Sequence, residues 1–211
     1  LLKQRSDVLC LSCHNEEKRA KIGKDVVLID NIADALKPEN SKHAPLDVEE
    51  SCVTCHNAHG SANARMLNLN YEPNFHNEYN PGSDKGPNSY ALCFDCHKKN
   101  RILSQDLSKV DKPTKFRKDT KDAAGNIKSL NLHWYHVVDA AGRDDKGWGM
   151  SCYTCHDPHG SHNEKLIRSS VRQTRKASGP QPLKIEYSKT ENGGNCTKSC
   201  HKSHPYQYIE K

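Results

Sequence analysis

The sequence has too few apolar side chains to build an ordinary protein core. Hydrophobic residues occupy 34% of the 211 positions and aromatic residues 6%, whereas typical globular domains are about 45–50% apolar. Such a composition by itself favours a disordered chain, because little apolar surface is available to offset the loss of chain entropy. The chain nevertheless contains 10 cysteines and 13 histidines. We therefore expect the missing apolar material to come from something other than side chains.

Long hydrophobic runs are also absent. The longest apolar stretch is residues 26–29, far short of the roughly 18 residues that a membrane-spanning helix needs. No positively charged segment followed by an apolar one opens the chain, so no signal peptide is recognised. The chain begins with Leu1, and, mainly from the cysteine chemistry described below, we expect a mature or trimmed product whose export signal has been removed. The sequence thus predicts no membrane span.

The positive charge is not concentrated in any one segment. The chain has 32 Lys and Arg residues against 26 Asp and Glu residues, a formal net charge of +6, and the two signs are interspersed. Nucleic-acid-binding proteins usually gather basic residues into a patch or stripe. The scatter predicts instead a solvated surface of mixed charge, with no nucleic acid among the partners.

The ten cysteines occur as five pairs, and each pair is followed directly by a histidine. Four pairs have the form C-x-x-C-H, and the fifth has one extra residue between its cysteines. C-x-x-C-H is typical of covalent c-type haem attachment. The motif residues are Cys10, Cys13 and His14; Cys52, Cys55 and His56; Cys93, Cys96 and His97; Cys152, Cys155 and His156; and Cys196, Cys200 and His201.

The spacing has a chemical reason. Two thioether bonds fix the porphyrin edge, and the adjacent histidine then reaches the iron as its proximal ligand. A structural zinc site needs no histidine directly after each cysteine pair, and disulfides need no histidine at all. A thioredoxin-like redox pair would occur once, beside a βαβ pattern. Five motifs that use every cysteine therefore predict five haem c groups.

Five six-coordinate haems need five further axial ligands. Only two methionines are present, Met66 and Met150, whereas eight histidines lie outside the motifs. Histidine on both faces of each haem is the economical assignment, and it predicts low reduction potentials, because methionine ligation raises the potential. The eight histidines are His43, His59, His76, His133, His136, His159, His162 and His204.

An internal repeat narrows the choice among these histidines. Residues 51–67 and 151–167 share the frame S-C-x-T-C-H-x-x-H-G-S-x-N. His59 and His159 occupy equivalent places, three residues after a proximal histidine. Each is too close to that histidine to reach the opposite face of the same haem easily, so we expect each to ligate a neighbouring haem.

Two more candidates precede the repeated motifs. His43 lies nine residues before Cys52, and His136 lies sixteen residues before Cys152. The second spacing is longer by a glycine-rich insertion that reads as a loop. His133 lies three residues before His136, so one short segment can serve two haems. His76, His162 and His204 have weaker support and stay open as ligands.

These motifs together resemble the multihaem c-type cytochromes of the doubled CxxCH motif, from bacteria and archaea that respire insoluble or extracellular acceptors. The matching pieces are residues 8–14, 43–45, 52–61, 92–97, 116–117, 131–137, 152–161 and the terminal C-x-x-x-C-H. The resemblance implies that His43, His59, His133, His136 and His159 are the distal ligands. The motifs of this family are highly specific for haem binding and much less specific for the physiological role.

The fold expected for such a chain is mostly irregular, with short α-helices and little or no β-sheet. With 211 residues shared among five haems, haems must share walls, so we expect a single pentahaem domain over residues 1–211, built from two related halves of about 1–92 and 93–211. Helices are predicted over residues 15–24, 30–37 (with Asp30 as N-cap), 88–103 and at each attachment motif. Residues 106–127 and 171–194 are predicted to be surface loops.

The predicted function is that of a conduit carrying electrons toward redox partner proteins or extracellular acceptors, and not that of an enzyme. Because c-type haems are attached outside the cytoplasm, we expect an extracellular or periplasmic location. A homo-polymer joined by inter-subunit haem contacts, as in a filament, is compatible with the surplus of histidines. The alternative function is a multihaem oxyanion reductase, which would need an open iron position. All five motifs end in histidine, which favours the conduit.

Overall fold

A computed structural model describes residues 4–22, 24–48, 51–72, 74, 76–78, 89–139, 148–172, 182–197 and 202–210. Within these residues the chain forms small antiparallel sheets joined by helices of one or two turns. The prediction of little or no β-sheet is therefore wrong, while the prediction of short helices is confirmed. Cys200 and His201 of the fifth motif lie outside the described residues.

The strands are two to five residues long, and every pairing between them is antiparallel. Five sheets have two strands, pairing β1 with β2, β3 with β8, β4 with β7, β5 with β6 and β9 with β10, and one has the order β11-β12-β13. The strands are β1 (Lys18–Ile22), β2 (Asp25–Ile29), β3 (Ser41–Lys42), β4 (His76–Glu78), β5 (Arg117–Lys121), β6 (Ile127–Asn131), β7 (Trp148–Met150), β8 (Gly160–Ser161), β9 (Ser170–Arg172), β10 (Pro182–Lys184), β11 (Glu186–Thr190), β12 (Gly193–Thr197) and β13 (His204–Gln207).

Helical turns coincide with the attachment motifs. Cys10, Cys52, Cys93 and Cys152 each lie in a short α- or 3-10 helix, as predicted, whereas Cys196 lies in strand β12. The α-helices are α1 (Ser6–Leu11), α2 (Ile32–Ala35), α3 (Ala91–Phe94), α4 (Lys99–Leu103), α5 (Leu132–Val137) and α6 (Cys152–Cys155). The 3-10 helices are Ala44–Asp47, Ser51–Thr54, Ala64–Met66, Leu107–Lys109 and Glu164–Leu166.

The predicted helix over residues 15–24 is replaced by a hairpin, in which Lys18 pairs with Ile29 and Ile22 pairs with Asp25. The partner strand β2 reads D-V-V-L-I, and its β-branched residues favour extended backbone. The helix predicted over residues 30–37 is present as α2, but its N-cap is Asn31, whose Oδ1 accepts the N–H of Asp34 at 3.2 Å. The helix predicted over residues 88–103 is divided into α3 and α4.

Both predicted loops contain strands. Residues 106–127 include β5, and the described part of residues 171–194 includes β10 and β11. In strand β5 the burial alternates, with Arg117 and Asp119 less exposed than Lys118 and Thr120. The Lys-rich composition of these segments marks solvent-facing strands and not irregular loops.

The chain divides into two compact units. Unit 1 contains residues 1–69 and 156–168, and unit 2 contains residues 70–155 and 169–211. The second repeat thus contributes its residues after Cys155 to unit 1. A single domain with related halves at about 1–92 and 93–211 stays a prediction.

The apolar cores of the two units differ. In unit 2, Tyr90 is fully buried, and Leu107, Leu132, Val137 and Tyr206 are buried with it. In the described part of unit 1, Leu67 is the only buried large apolar side chain. None of the described helices is long and apolar enough to cross a membrane.

Candidate haem-attachment sites

The attachment cysteines come together in pairs from different motifs. In unit 1 burial raises the pKa of the Cys10 thiol, and the neighbouring Cys52 thiol raises it further. In unit 2 a hydrogen bond with Cys93 raises the pKa of the Cys152 thiol. None of the described cysteines is in a disulfide. The first cysteines of motifs one and two are therefore neighbours, and so are those of motifs three and four.

The proximal histidines of the two repeats are held in the same way. Nδ1 of His56 lies 2.9 Å from the carbonyl oxygen of Arg65, and Nδ1 of His156 lies 2.9 Å from the carbonyl oxygen of Lys165. A carbonyl oxygen can only accept, so each Nδ1 carries the proton. Nε2 is then the basic nitrogen, which is the form of imidazole that binds a metal ion.

A strained backbone segment supplies these carbonyl groups. Arg65 and Met66 have φ angles of 59° and 54°, and Lys165 and Leu166 have φ angles of 59° and 60°. The left-handed conformation costs a non-glycine residue roughly 1–2 kcal/mol, so the surrounding contacts must fix it.

Equivalent hydrogen bonds in the two repeats hold this backbone conformation. In the first repeat the side chains of Ser61 and Asn63 donate to the carbonyl oxygen of Leu67, at 2.5 and 3.0 Å. In the second repeat Ser161 and Asn163 donate in the same way to Ile167. These are the S-x-N positions of the sequence frame, and their role could not be seen in the sequence.

Burial sets the charge of one proximal ring. It lowers the pKa of His56, although the hydrogen bond to Arg65 acts in the opposite direction. The ring is therefore neutral near pH 7, as a metal-binding histidine must be.

His133 and His136 lie together on helix α5 in unit 2. Nδ1 of His136 lies 2.7 Å from the carbonyl oxygen of Leu132, so this ring also carries its proton on Nδ1. Nδ1 of His133 lies 3.2 Å from Oγ1 of Thr114. The Phe116 ring packs edge-on against His133, with centroids 4.9 Å apart, and lies nearly parallel to His136, with centroids 5.8 Å apart. The two rings are thus held in fixed orientations.

Asn131 anchors the start of helix α5. It is 1% exposed, and its Oδ1 accepts the N–H of His133 at 3.1 Å as the N-cap. Its amide nitrogen donates to the carbonyl oxygens of Ile102 and Ser104, at 2.7 and 2.8 Å. This buried residue therefore joins α5 to the end of α4.

The other three predicted distal ligands lie in unit 1. His43 precedes the 3-10 helix Ala44–Asp47, and its N–H donates to the carbonyl oxygen of His159 at 3.5 Å. The rings of His159 and His56 are parallel within 10°, with centroids 6.3 Å apart. His59 is exposed on the turn that follows the second motif. The structure thus brings His43, His56 and His159 into one neighbourhood.

A charged group accompanies His159. Nδ1 of His159 lies 3.4 Å from Oδ1 of Asp157, and Arg168 donates to the other carboxylate oxygen at 2.8 Å. Burial raises the pKa of Asp157, but the hydrogen bond with His159 and the charge of Arg168 outweigh it and lower the pKa overall. The sequence comparison of the repeats did not indicate this arrangement.

The remaining described histidines are one with a buried ring nitrogen and several that are exposed or lie on strands. Nδ1 of His14 is buried and has no hydrogen-bond partner among the described residues, and His97 is exposed after helix α3. His162 is exposed, and His204 is exposed on β13 with Cys196 as its cross-strand neighbour. His76 lies on β4 opposite Met150.

The described residues fit a large apolar prosthetic group. Val8 and Leu9 beside Cys10 are 49% and 46% exposed, Val53 beside Cys52 is 41% exposed, and Met66 is 50% exposed. Apolar side chains gain free energy when apolar surface covers them. Unit 1 therefore has exposed apolar surface beside its attachment motifs and few buried apolar side chains. A covalently attached porphyrin would cover this surface and complete the apolar core.

Comparison with known families agrees with this chemistry. A family described as having the doubled CXXCH motif matches residues 43–102 and 147–180. These segments contain the second, third and fourth motifs together with His43, His59 and His159. No curated protein and no solved structure matches the chain.

Proposed function

We propose that the chain, whose residues 43–102 and 147–180 match the family with the doubled CXXCH motif, carries electrons through five covalently bound haems, each ligated by two histidines. The family match supports haem c binding and electron transfer. The number of haems rests on the five motifs of the sequence. The proximal ligands are His14, His56, His97, His156 and His201, and the distal ligands are His43, His59, His133, His136 and His159.

The hydrogen bonding of the histidine rings is the observation that carries the proposal. His56 and His156, from the motifs, and His136, from outside the motifs, all present Nδ1 to a backbone carbonyl oxygen. Protein partners of this kind fix the tautomer and the orientation of metal-ligating histidines. The candidate proximal and distal histidines therefore share the same hydrogen bonding at Nδ1, which supports histidine ligation on both faces of each haem.

When bound, haem supplies a one-electron couple, and bis-histidine ligation sets it at a low potential relative to methionine ligation. The chain's own residues hold the rings at fixed orientations through carbonyl oxygens and through packing, as Phe116 does for His133 and His136. An iron closed on both faces has no position for a substrate, so this arrangement suits electron transfer and not oxyanion reduction.

The grouping of cysteines supports short steps between haems. Cys10 and Cys52 are neighbours in unit 1, and Cys93 and Cys152 are neighbours in unit 2. Two attachment points in contact bring two prosthetic groups close together within each unit. The shortage of buried apolar side chains in unit 1 points the same way, since neighbouring haems then share surface.

We place the protein outside the cytoplasm, in the periplasm or at the cell exterior, where c-type haems are attached. Its electrons would pass to redox partner proteins or to extracellular acceptors. A polymer in which a neighbouring copy donates a histidine is the alternative assembly, and His162 and His204, which are exposed and not assigned to a haem above, are candidates for that contact. Particle images of native material distinguish a filament from a monomer.

The test of function is a comparison of acceptors. The fully reduced, haem-loaded protein is mixed with a ferric oxide suspension, or with nitrite or sulfite, and reoxidation is followed at the haem absorption bands. The proposal expects reoxidation by the ferric oxide and no production of reduced nitrogen or sulfur compounds. Catalytic turnover of nitrite or sulfite, together with carbon monoxide binding to the reduced protein, would show an open iron and refute the conduit.

A further inference from the structure

The two repeats differ in the residue that accompanies their equivalent histidines. In the second repeat Asp157 lies two residues before His159, and in the first repeat Asn57 lies two residues before His59. Both side chains accept the backbone N–H of the histidine through Oδ1 at 3.1 Å. The turn is therefore the same in both repeats, while the charge of the accepting group is not.

Asp157 makes contacts that extend beyond the turn. Its Oδ1 lies 3.4 Å from Nδ1 of His159, longer than an ordinary N–H···O hydrogen bond, so its negative charge lies beside the ring. Its Oδ2 accepts from Arg168 at 2.8 Å, and Nε of Arg168 also donates to the carbonyl oxygen of His156 at 2.9 Å. Arg168 thus fixes the carboxylate so that its other oxygen faces the His159 ring.

The corresponding position in the first repeat lacks a cation. Asn68 stands where the second repeat has Arg168, and its amide nitrogen donates to the carbonyl oxygens of Val53 and Thr54, at 3.1 and 3.2 Å. His59 is exposed, whereas His159 is half-buried. Of the two equivalent histidines, only His159 therefore combines a nearby carboxylate, a nearby arginine and partial burial.

We infer that Asp157 is a positioning residue that lowers the reduction potential of the haem ligated by His159 relative to the haem ligated by His59. A carboxylate beside Nδ1 raises the basicity of a ligating imidazole through its negative charge. A more basic ligand stabilises ferric iron more than ferrous iron. The inference rests on the proposed function, because it requires that both histidines bind iron.

The chain itself supplies the matched substitutions. Asp157→Asn installs the amide that already supports the same turn in the first repeat, so the turn is kept and the charge is removed. Asn57→Asp makes the reciprocal change. Each variant is produced with its haems attached, and the midpoint potentials are measured by a spectroelectrochemical titration.

Asp157→Asn is expected to raise one midpoint potential and to leave the others in place, with a change of about tenfold in the reduction equilibrium constant of that haem. For one electron, tenfold corresponds to about 59 mV. Asn57→Asp is expected to lower a different midpoint, by a smaller factor because His59 is exposed. Unchanged midpoints in Asp157→Asn would overturn the inference, and a uniform shift of all haems would show a general charge effect and overturn it as well.

His159→Ala separates this inference from the proposed function. If one haem becomes high-spin in His159→Ala while Asp157→Asn leaves every midpoint unchanged, the ligand assignment stands and the tuning role fails. If all haems stay low-spin in His159→Ala, His159 is not a ligand, and the distal assignment itself is refuted. Spin state is read by electron paramagnetic resonance (EPR) on chains with a measured haem content.

Discussion

Replacement of Asn131 tests how the protein holds its pair of helical histidines. Asn131→Ala removes the N-cap of helix α5, a loss of about 1 kcal/mol, and it takes the donor away from two partly buried carbonyl groups, at Ile102 and Ser104. A buried polar group left without its partner costs about 1–3 kcal/mol. The cap and the two carbonyls together give an expected destabilisation of about 3–7 kcal/mol, toward the lower end because both hydrogen bonds are only partly buried.

Two further variants divide this energy into its parts. Asn31 caps helix α2 through a single hydrogen bond to the N–H of Asp34, so Asn31→Ala should cost only the cap, about 1 kcal/mol. Asn131→Asp keeps an accepting oxygen at the cap but loses both donors, and it should be at least as unstable as Asn131→Ala. The comparison separates the cap from the two hydrogen bonds to carbonyl groups.

The assay is guanidinium unfolding of the haem-loaded chain, followed by circular dichroism and by the haem absorption band, with the midpoint and slope fitted together. The EPR spectrum at low denaturant reports His133 and His136 directly, since a displaced α5 should convert low-spin haem to high-spin haem in the Asn131 variants only. If Asn131→Ala costs no more than Asn31→Ala, the hydrogen bonds to Ile102 and Ser104 contribute nothing, and the reasoning is refuted.

Three more predictions concern a residue with a positive φ angle, a pair of glycines and a titrating carboxyl group. Lys165 has a φ of 59°, so Lys165→Gly should be neutral or stabilising, whereas Lys165→Val should destabilise the protein by more than about 1 kcal/mol. Denaturant midpoints measure both changes. Equal stability of the two variants would show that the backbone at Lys165 is not strained. At the fifth motif, a Cβ on Gly193 would lie 1.9 Å from the backbone oxygen of Tyr206, while one on Gly194 would meet the end of the Tyr206 side chain at 2.8 Å. Gly193→Ala should therefore reduce haem attachment at Cys196, measured by peptide mass spectrometry, and Gly194→Ala should be tolerated; equal attachment in both variants would refute the close approach. The hydrogen bond from the N–H of Asn126 lowers the pKa of Asp122. The hairpin turn is therefore stabilised above the pKa of the unfolded chain, about 3.9, and this stabilisation is lost as pH falls through the lower pKa of the folded chain. Amide exchange should detect this pH dependence in the native chain and not in Asp122→Asn.

The attachment chemistry could be predicted from the sequence because it is local. A thioether pair and its proximal histidine need fixed spacings along the chain, so the five motifs can be identified without knowledge of the fold. The candidate ligands His133 and His136 could also be predicted, since counting the histidines and comparing the repeats require no three-dimensional information. The structure places both on one helix with Phe116 between them and strand β13.

The sheets could not be predicted in this way. Their strands are two to five residues long, and pairs such as β3 with β8 join residues 41–42 to residues 160–161. So short a strand shows no alternation of apolar and polar residues, and its partner is set by tertiary contacts. The hairpin at residues 18–29 was mistaken for a helix because its charged residues suit either structure.

The supports of the proximal histidines were missed for a different reason. Arg65 and Lys165 adopt positive φ angles, yet neither is the glycine or asparagine that usually marks such a position. The residues that stabilise this conformation, Ser61 and Asn63, act on Leu67 and not on the histidine. The difference between Asn57 and Asp157 was visible in the repeat, but its meaning depends on the approach of Arg168.

The central claim is that five haems per chain are each closed by two histidines. Spin quantification by EPR on the oxidised protein, combined with haem and iron content per chain, tests it most directly. The account predicts five haems per chain and only low-spin ferric signals, summing to five spins once any coupling between neighbouring haems is allowed for. A high-spin signal of one spin per chain, or a haem content below five in fully matured protein, would contradict it.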